Sequence, residues 1–578
     1  MRTLRVGNCS GFYGDRFSAM REMLEGGELD YLTGDYLAEL TMLILGRDRM
    51  KDTDLGYAKT FLKQLTENLA LAKERGVKVV ANAGGLNPAG LADAIRKVAA
   101  EQGVEVSVAH VEGDDLVARS AEFGFGDALT ANAYLGAFGI AEALQAGADI
   151  VVTGRVTDAS VVVGPAIAEF GWGREDFDRL AGAVVAGHVI ECGAQATGGN
   201  FSGFLDIDTT RPLGFPIAEI SETGDVVITK HEGTGGAVTV DTVTAQLVYE
   251  IQDQRYLNPD VVVDLTSIDL AADGDDRVRI SGVRGGAPPA TTKVCLNAFG
   301  GFRNNVEFVL TGLDIEEKAA WVRRQIETAL AGNPPAEIVW DLARTDHRDP
   351  ASQPEAAAIL RCHVKDADLN LVGRGFSGAA VEVALASYPG FTMTAPPGRG
   401  APYGIYRAAY VPQAEVPHVV VHADGSRTEI APPAVTADPE SHFWNRIHAS
   451  SAENGGSVSK SGEGRPSALG RLVHARSGDK GGNANVGVWI PSSHPRREQA
   501  YAWLETFLTE DRVRELLPEA ADLAIDVHPL PNLSGINLIL HGLLGEGVAS
   551  STRFDPQAKA LGEWLRARIV TIPEELLA

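Results

Sequence analysis

Over its first 200 residues the chain alternates short apolar, β-branched runs with longer helical stretches, and this alternation restricts the fold more than any other feature. Leu4–Val6, Lys78–Ala81, Glu105–His110 and Asp149–Thr153 read as strands, while Thr60–Arg75 and Gly90–Gln102 have helical spacing and propensity. Strand, helix, strand in units of roughly 30 residues is the signature of right-handed βαβ crossovers, which build a parallel sheet covered by helices. The expected fold is therefore α/β, with an amino-terminal, mostly parallel, Rossmann-like sheet; an incomplete barrel is the alternative. In such sheets ligands gather at the carboxyl ends of the strands.

Chemistry is therefore expected first in the turns after the strands. Asp149–Thr153 delivers Arg155, Thr157, Asp158 and Ser160 within one turn. Arg155 and Asp158 suit a cationic clamp and an acid or base, although they can equally pair with each other. Leu4–Val6 leads to Asn8 and Ser10, Lys78–Ala81 to Asn82, Gly84 and Gly85, and Glu105–His110 to Glu112-Gly113-Asp114-Asp115. Glycines permit close approach of a ligand and free amides hold anions, but turns between strands and helices are rich in Gly and Asn for backbone reasons too.

Three further segments carry polar groups. In Asp30–Met42, Asp35 and Glu39 stand four apart and on a helix would share a face, as a cation site, an acid/base pair or a solvated acidic surface. After Asp176 a small-residue helix holds His188, Glu191 and Cys192 at metal-compatible spacing, or as a packed histidine beside a buried thiol. The next turn, Thr197-Gly198-Gly199-Asn200, is donor-rich, and Glu232-Gly233-Thr234-Gly235-Gly236 repeats its chemistry, making Glu232 and Thr234 candidates. No P-loop and no G-x-G-x-x-G after a strand occurs, so no nucleotide is demanded.

Beyond residue 275 the order of elements changes. Strands at Lys293–Leu310, Glu337–Ala343 and Ile359–His363, with helices at Ile315–Ala331 and Gly378–Ser387, approach the split βαβ pattern. The domains expected are an α/β domain at 1–270, an α+β subdomain packed on it at 271–448, a Ser/Gly-rich linker at 449–468 and a small α+β domain at 469–578. The last opens on His474-Ala-Arg-Ser-Gly-Asp-Lys-Gly-Gly-Asn-Ala-Asn485, more chemistry than a hairpin turn requires. Lys480 is a candidate anion binder, Asp479 a base if desolvated, and Ser477 a ligand-binding hydroxyl, with a plain ionic turn as the alternative.

The 578 residues carry a formal net charge of −26, which argues against nucleic acid or an anionic membrane as a general partner. No apolar run reaches membrane-spanning length, and the start of the chain enters a strand pattern without the apolar core of a signal peptide. The four cysteines, Cys9, Cys192, Cys295 and Cys362, have no paired spacing and read as reduced thiols. A cytoplasmic protein with a small-molecule substrate is expected, as is a homo-oligomer of unspecified order.

Taken together, GNCSGFYGD, DYLTGDYLAELTM, VVTGRVTDASVVVGP, CGAQATGGNFSG, EGTGG and ARSGDKGGNANVG resemble the acyclic terpene utilisation (AtuA-like) proteins, in order and over nearly the whole chain. The resemblance implies a large amino-terminal domain, a small carboxy-terminal ferredoxin-like domain, and a role in breaking down branched acyclic terpenoids through coenzyme A thioesters. It carries no catalytic residues, so roles rest on chemistry alone. The expectation is acid/base catalysis (hydration, dehydration or C–C cleavage) on an acyl-CoA or organic acid, using Asp158, Arg155, Asp479 and Lys480. The alternatives are a metal-dependent hydrolase or lyase with Mg²⁺ on Asp158, Glu232 or Asp35, and a non-catalytic binding or scaffold subunit.

Overall fold

The computed structural model describes residues 2–438 and 464–577. Its main element is an eleven-stranded sheet. In chain order the strands are β1 (Thr3–Asn8), β2 (Tyr31–Gly34), β3 (Lys78–Ala81), β4 (Val108–Glu112), β5 (Ile150–Thr153), β6 (Pro216–Ser221), β7 (Val226–Lys230), β8 (Asp269–Ala272), β9 (Val278–Ser281), β10 (Val419–Val421) and β11 (Arg427–Glu429). They stand in the order β8-β9-β7-β6-β1-β2-β3-β5-β4-β10-β11. The centre, β1-β2-β3-β5-β4, is parallel. Both wings are antiparallel, so the parallel part of the sheet expected to be mostly parallel is its middle.

Sequence alternation explains the two covered faces. Ile150 and Val152 join a core with Phe61, Leu65, Leu91 and Ile95, whereas Val151 joins another with Ile140, Val162, Val184 and Val185. Successive strand residues point to opposite faces, so a run apolar at every position must be covered on both. Helices Lys59–Arg75 and Pro88–Gln102 cover one face; Phe138–Gln145, Ser160–Phe170 and Phe177–Ile190 cover the other. The fourth strand begins at Val108 rather than Glu105.

Two compact units account for the chain: Met1–Asn297 with Tyr406–Val548 and Gln557–Ala578, and Ala298–Ile405 with Ala549–Pro556. The first contains the large sheet and the carboxy-terminal α+β part. There, His474–Lys480, Asn483–Trp489, Gly535–Leu540 and Ile525–Leu530 form an antiparallel sheet in that order, backed by helices Arg497–Phe507, Glu510–Leu516 and Leu561–Ala567 around Leu472, Val486, Leu504, Leu538 and Leu565. Of the segment expected to be linker, 449–463 lies outside the described residues. Gly464–Ala468 is a strand, because it pairs antiparallel with Ile569–Pro573.

The second unit is built on residues 298–311 of strand Thr291–Thr311, helix Ile315–Leu330, strands Glu337–Ala343 and Ala357–Asp366, helix Phe376–Glu382 and residues 401–405 of strand Ala401–Pro412. Numbered along the chain, its strands stand 2-3-1-4, which with a helix after the first and the third is the split βαβ arrangement. The first helix buries Ile315, Ala319, Val322, Ile326 and Leu330 against Phe308 and Leu360.

Candidate active site

Because the five central strands are parallel, Asn8, Gly34, Ala81, Glu112 and Thr153 end along one edge of the sheet. A cavity of about 480 Å³ lies in the first unit, lined from the amino-terminal part by Asp35, Glu39, Arg155, Asp158, Glu191 and Glu250. Asp479, Lys480 and Lys559 from the carboxy-terminal part line the same cavity. Lys480 thus reaches the space occupied by the turn after β5.

That turn is fixed from below. Asp114 accepts hydrogen bonds from the Arg155 backbone N–H at 2.8 Å and from Asn132 Nδ2 at 2.7 Å. Burial pushes its carboxyl up to about 7. The buried Arg155 guanidinium donates to Asp158 Oδ1 at 2.6 Å and lies 4.1 Å over the Tyr134 ring. The pairing allowed by the sequence is therefore made, and both side chains still line the cavity.

Asp35 and Glu39 do not share a helix face. Tyr31–Gly34 is a strand, Asp35 lies in the turn after it, and the helix starts only at Glu39. Both carboxyls nevertheless line the cavity, in opposite electrostatic settings. Asp35 Oδ1 accepts from Asn82 Nδ2 at 2.5 Å, but burial and the neighbouring Asp158 carboxylate push its pKa well up. Burial would also raise Glu39, yet Lys293, Arg155 and Lys480 outweigh it and hold that carboxyl at about 2. Lys293 Nζ is 3.4 Å from Glu39 Oε1.

The remaining candidates divide by position. Gly199 and Asn200 line the cavity, Asn200 in the left-handed region at φ 56°. Asn8, Ser10, Asn82, Thr197 and Ser477 do not line it and are engaged in hydrogen bonds of their own. Asn8 Nδ2 donates to the carbonyls of Ile190 and Glu191 at 2.5 and 2.9 Å, the Ser10 carbonyl accepts from Asp35 N at 2.9 Å, and Asn82 Oδ1 accepts from Tyr36 N at 2.7 Å. Thr197 Oγ1 donates to the Gly214 carbonyl, and Ser477 Oγ holds the Lys559 carbonyl and the Gly562 N–H.

Gly84, Gly85 and Gly198 shape backbone rather than lining the cavity; a Cβ on Gly84 would stand 2.5 Å from the Thr153 carbonyl oxygen. Glu232 is exposed and Thr234 Oγ1 donates to the His231 carbonyl, so the second glycine-rich turn is not part of this lining. His188 is a packed histidine. Its Nδ1 is 3.2 Å from Glu191 Oε1, its ring meets Tyr256 at 4.8 Å, and burial lowers its pKa to about 4.

The carboxy-terminal motif is a hairpin in which Lys480 pairs with Asn483 across Gly481-Gly482. Gly478 packs so closely that a Cβ there would collide with the Tyr249 ring. Asn485 Oδ1 accepts from the Glu250 N–H at 2.8 Å while its Nδ2 donates to the Val248 carbonyl at 3.2 Å. Glu250 is held at φ 56°, a conformation that costs a non-glycine residue of order 1 kcal/mol and clusters at functional sites. Burial and Glu250 push the Asp479 carboxyl up to about 7 against the pull of Lys559, whose Nζ is 3.9 Å away. Lys559 also hydrogen-bonds the Tyr249 hydroxyl. Among the described residues the Lys480 ammonium has no ion-pair or hydrogen-bond partner.

Seven carboxyls and four cations thus line one cavity. Burial pushes Asp35, Glu191 and Asp479 toward their neutral forms, which thins the negative excess and leaves a cavity able to take an anion at Lys480. Among the described residues no group of three or more His, Cys, Asp or Glu side chains is placed to hold a metal ion. All four cysteines are free.

The model of the acyclic terpene utilisation family protein AtuA matches residues 4–422, and that of the AtuA ferredoxin-like domain matches residues 467–571. The chain belongs to the acyclic terpene utilisation family. No curated protein and no solved structure matches it. Both family matches contribute to the cavity: the first supplies Asp35, Arg155 and Asp158, the second Asp479 and Lys480. Among the described residues no helix is long and apolar enough to cross a membrane. Lys293, Glu250, Tyr249 and Lys559 have no local motif that would single them out.

Proposed function

We propose that this acyclic terpene utilisation protein is an acid/base enzyme acting on a branched acyclic terpenoid acid or its acyl-CoA thioester, by hydration, dehydration or C–C cleavage. Lys480 holds the carboxylate or thioester oxygen and stabilises negative charge that develops there. Asp479 exchanges the proton: a carboxyl poised near 7 can both give and take one at neutral pH. Arg155 fixes Asp158 in the same lining. What supports the reading above all is that Asp479 and Lys480 share a single cavity with the Arg155–Asp158 pair.

The test is turnover by the purified full-length chain on a panel of branched acyclic acids and their coenzyme A thioesters. Lys480→Ala and Asp158→Asn are each expected to lower kcat/KM at least 100-fold, with melting behaviour near that of the parent. Activity untouched in both variants would overturn the assignment. Ligand capture without turnover would favour a binding subunit.

A further inference from the structure

We infer that a smaller chamber adjoining the polar cavity seats the branched hydrocarbon tail of the substrate, and that Leu257 at its rim sets the tail length accepted. This rests on the function proposed above. The chamber, about 230 Å³, lies in the first unit and shares Tyr134, Asp158, Glu250, Lys293 and Lys480 with the polar cavity. Those five residues therefore border both spaces, and a molecule held at Lys480 has access to either.

Beyond the shared border the walls diverge. The chamber is faced by Tyr256, Leu257, Pro259, Pro289 and Tyr410, and the rest of its unshared lining is neutral amides and hydroxyls with the Asp253–Arg255 ion pair, where the polar cavity presents Asp35, Glu39, Glu191 and Asp479. A hydrocarbon tail in the polar cavity would strip water from carboxyls without replacing its hydrogen bonds. Against rings, prolines and Leu257 the same tail gains from burial. Two ends of one molecule are thereby sorted, with the polar head among the ionisable groups and the tail in the chamber. Size agrees: an apolar cavity of about 150 Å³ takes benzene, so by proportion 230 Å³ takes a tail of about nine carbons. Leu257, which ends the strand Arg255–Leu257 and is 45% exposed, can change size without disturbing a core.

The experiment is calorimetric titration of the full-length chain with straight and branched monocarboxylates of six to twelve carbons, in the parent, Leu257→Trp and Leu257→Ala. In the parent, affinity is expected to rise about fourfold per added carbon and then level off once the chamber is full. Leu257→Trp should level off at a shorter length while keeping the six-carbon acid within twofold of the parent. Leu257→Ala should flatten the rise. Parallel curves in all three proteins, or affinity independent of length, would overturn the tail chamber and leave the proposed function standing. Failure of every acid, and of the same acids as coenzyme A thioesters, to bind would overturn both.

Discussion

Replacing Asp479 by Asn isolates the most perturbed proton in the cavity whose value falls near neutrality. Burial and the Glu250 carboxylate lift this carboxyl from its ordinary 3.8 to about 7. A raised carboxyl means that between those values the folded protein binds a proton that the unfolded chain has released, so stability falls as pH rises through the window. The rise is roughly three powers of ten in proton affinity, which at about 1.36 kcal/mol per power of ten sets the effect at ~4 kcal/mol, an upper bound because solvent at the rim screens part of it. Below pH 4 the side chain is neutral in both states and Asp479→Asn is close to isosteric, so the variant should melt with the parent. The gap should open from pH 4 upward, with the variant the more stable, and stop growing above pH 7. Asp114, also at about 7, is present in both proteins and cancels in the difference. Paired thermal melts from pH 3.5 to 8.5 read it directly. A gap that does not change with pH, or a variant less stable than the parent at pH 8, would refute the reasoning.

Two other substitutions probe the supports. Asn485→Ala removes the acceptor of the Glu250 N–H and the donor to the Val248 carbonyl; it should cost roughly 1–3 kcal/mol in denaturant unfolding and lower activity by releasing Glu250. Arg155→Met leaves Asp158 without its guanidinium and Tyr134 without the overlying cation. For a largely buried pair the loss is expected at about 3 kcal/mol, toward the low end for breaking such pairs because Asp158 keeps some solvent. Arg155→Met,Asp158→Leu should recover a measurable part of that stability but no turnover.

How far the sequence can be read depends on the range of the interactions involved. Ile150-Val151-Val152 is apolar at every position, and only a strand covered on both faces makes use of that, so the parallel centre is legible. The antiparallel wing is not. Pro216–Ser221 and Val226–Lys230 form a hairpin whose turn needs Gly224 at φ 90°, but which edge it joins is decided by pairing with β1 some 200 residues earlier. Asp35 and Glu39 do come to one place, but not for the reason their spacing offers: four residues apart suggests a helix, while Tyr31–Gly34 is recruited into the sheet by neighbours on both sides. Lys293 enters because Val294–Asn297 pairs with Thr130–Ala133, and no spacing in the sequence encodes that register.

The carboxy-terminal motif shows why dense glycine is an ambiguous sign of a ligand site. Its glycines suggest backbone approaching a substrate, yet Gly478 and Gly487 are small because Tyr249 and Val248 occupy the space a Cβ would need. That close approach lets Asn485 reach the backbone of Val248–Glu250 and hold Glu250 in its left-handed conformation. Glu250 in turn is the largest electrostatic influence raising Asp479. The motif thus acts on its own acid through a segment of the amino-terminal part: glycines set the approach, Asn485 sets Glu250, and Glu250 sets the proton affinity of Asp479. A substitution at Gly478 or Asn485 should therefore shift the pH at which Asp479 titrates, read by the same paired melts, through the displaced Glu250 carboxylate.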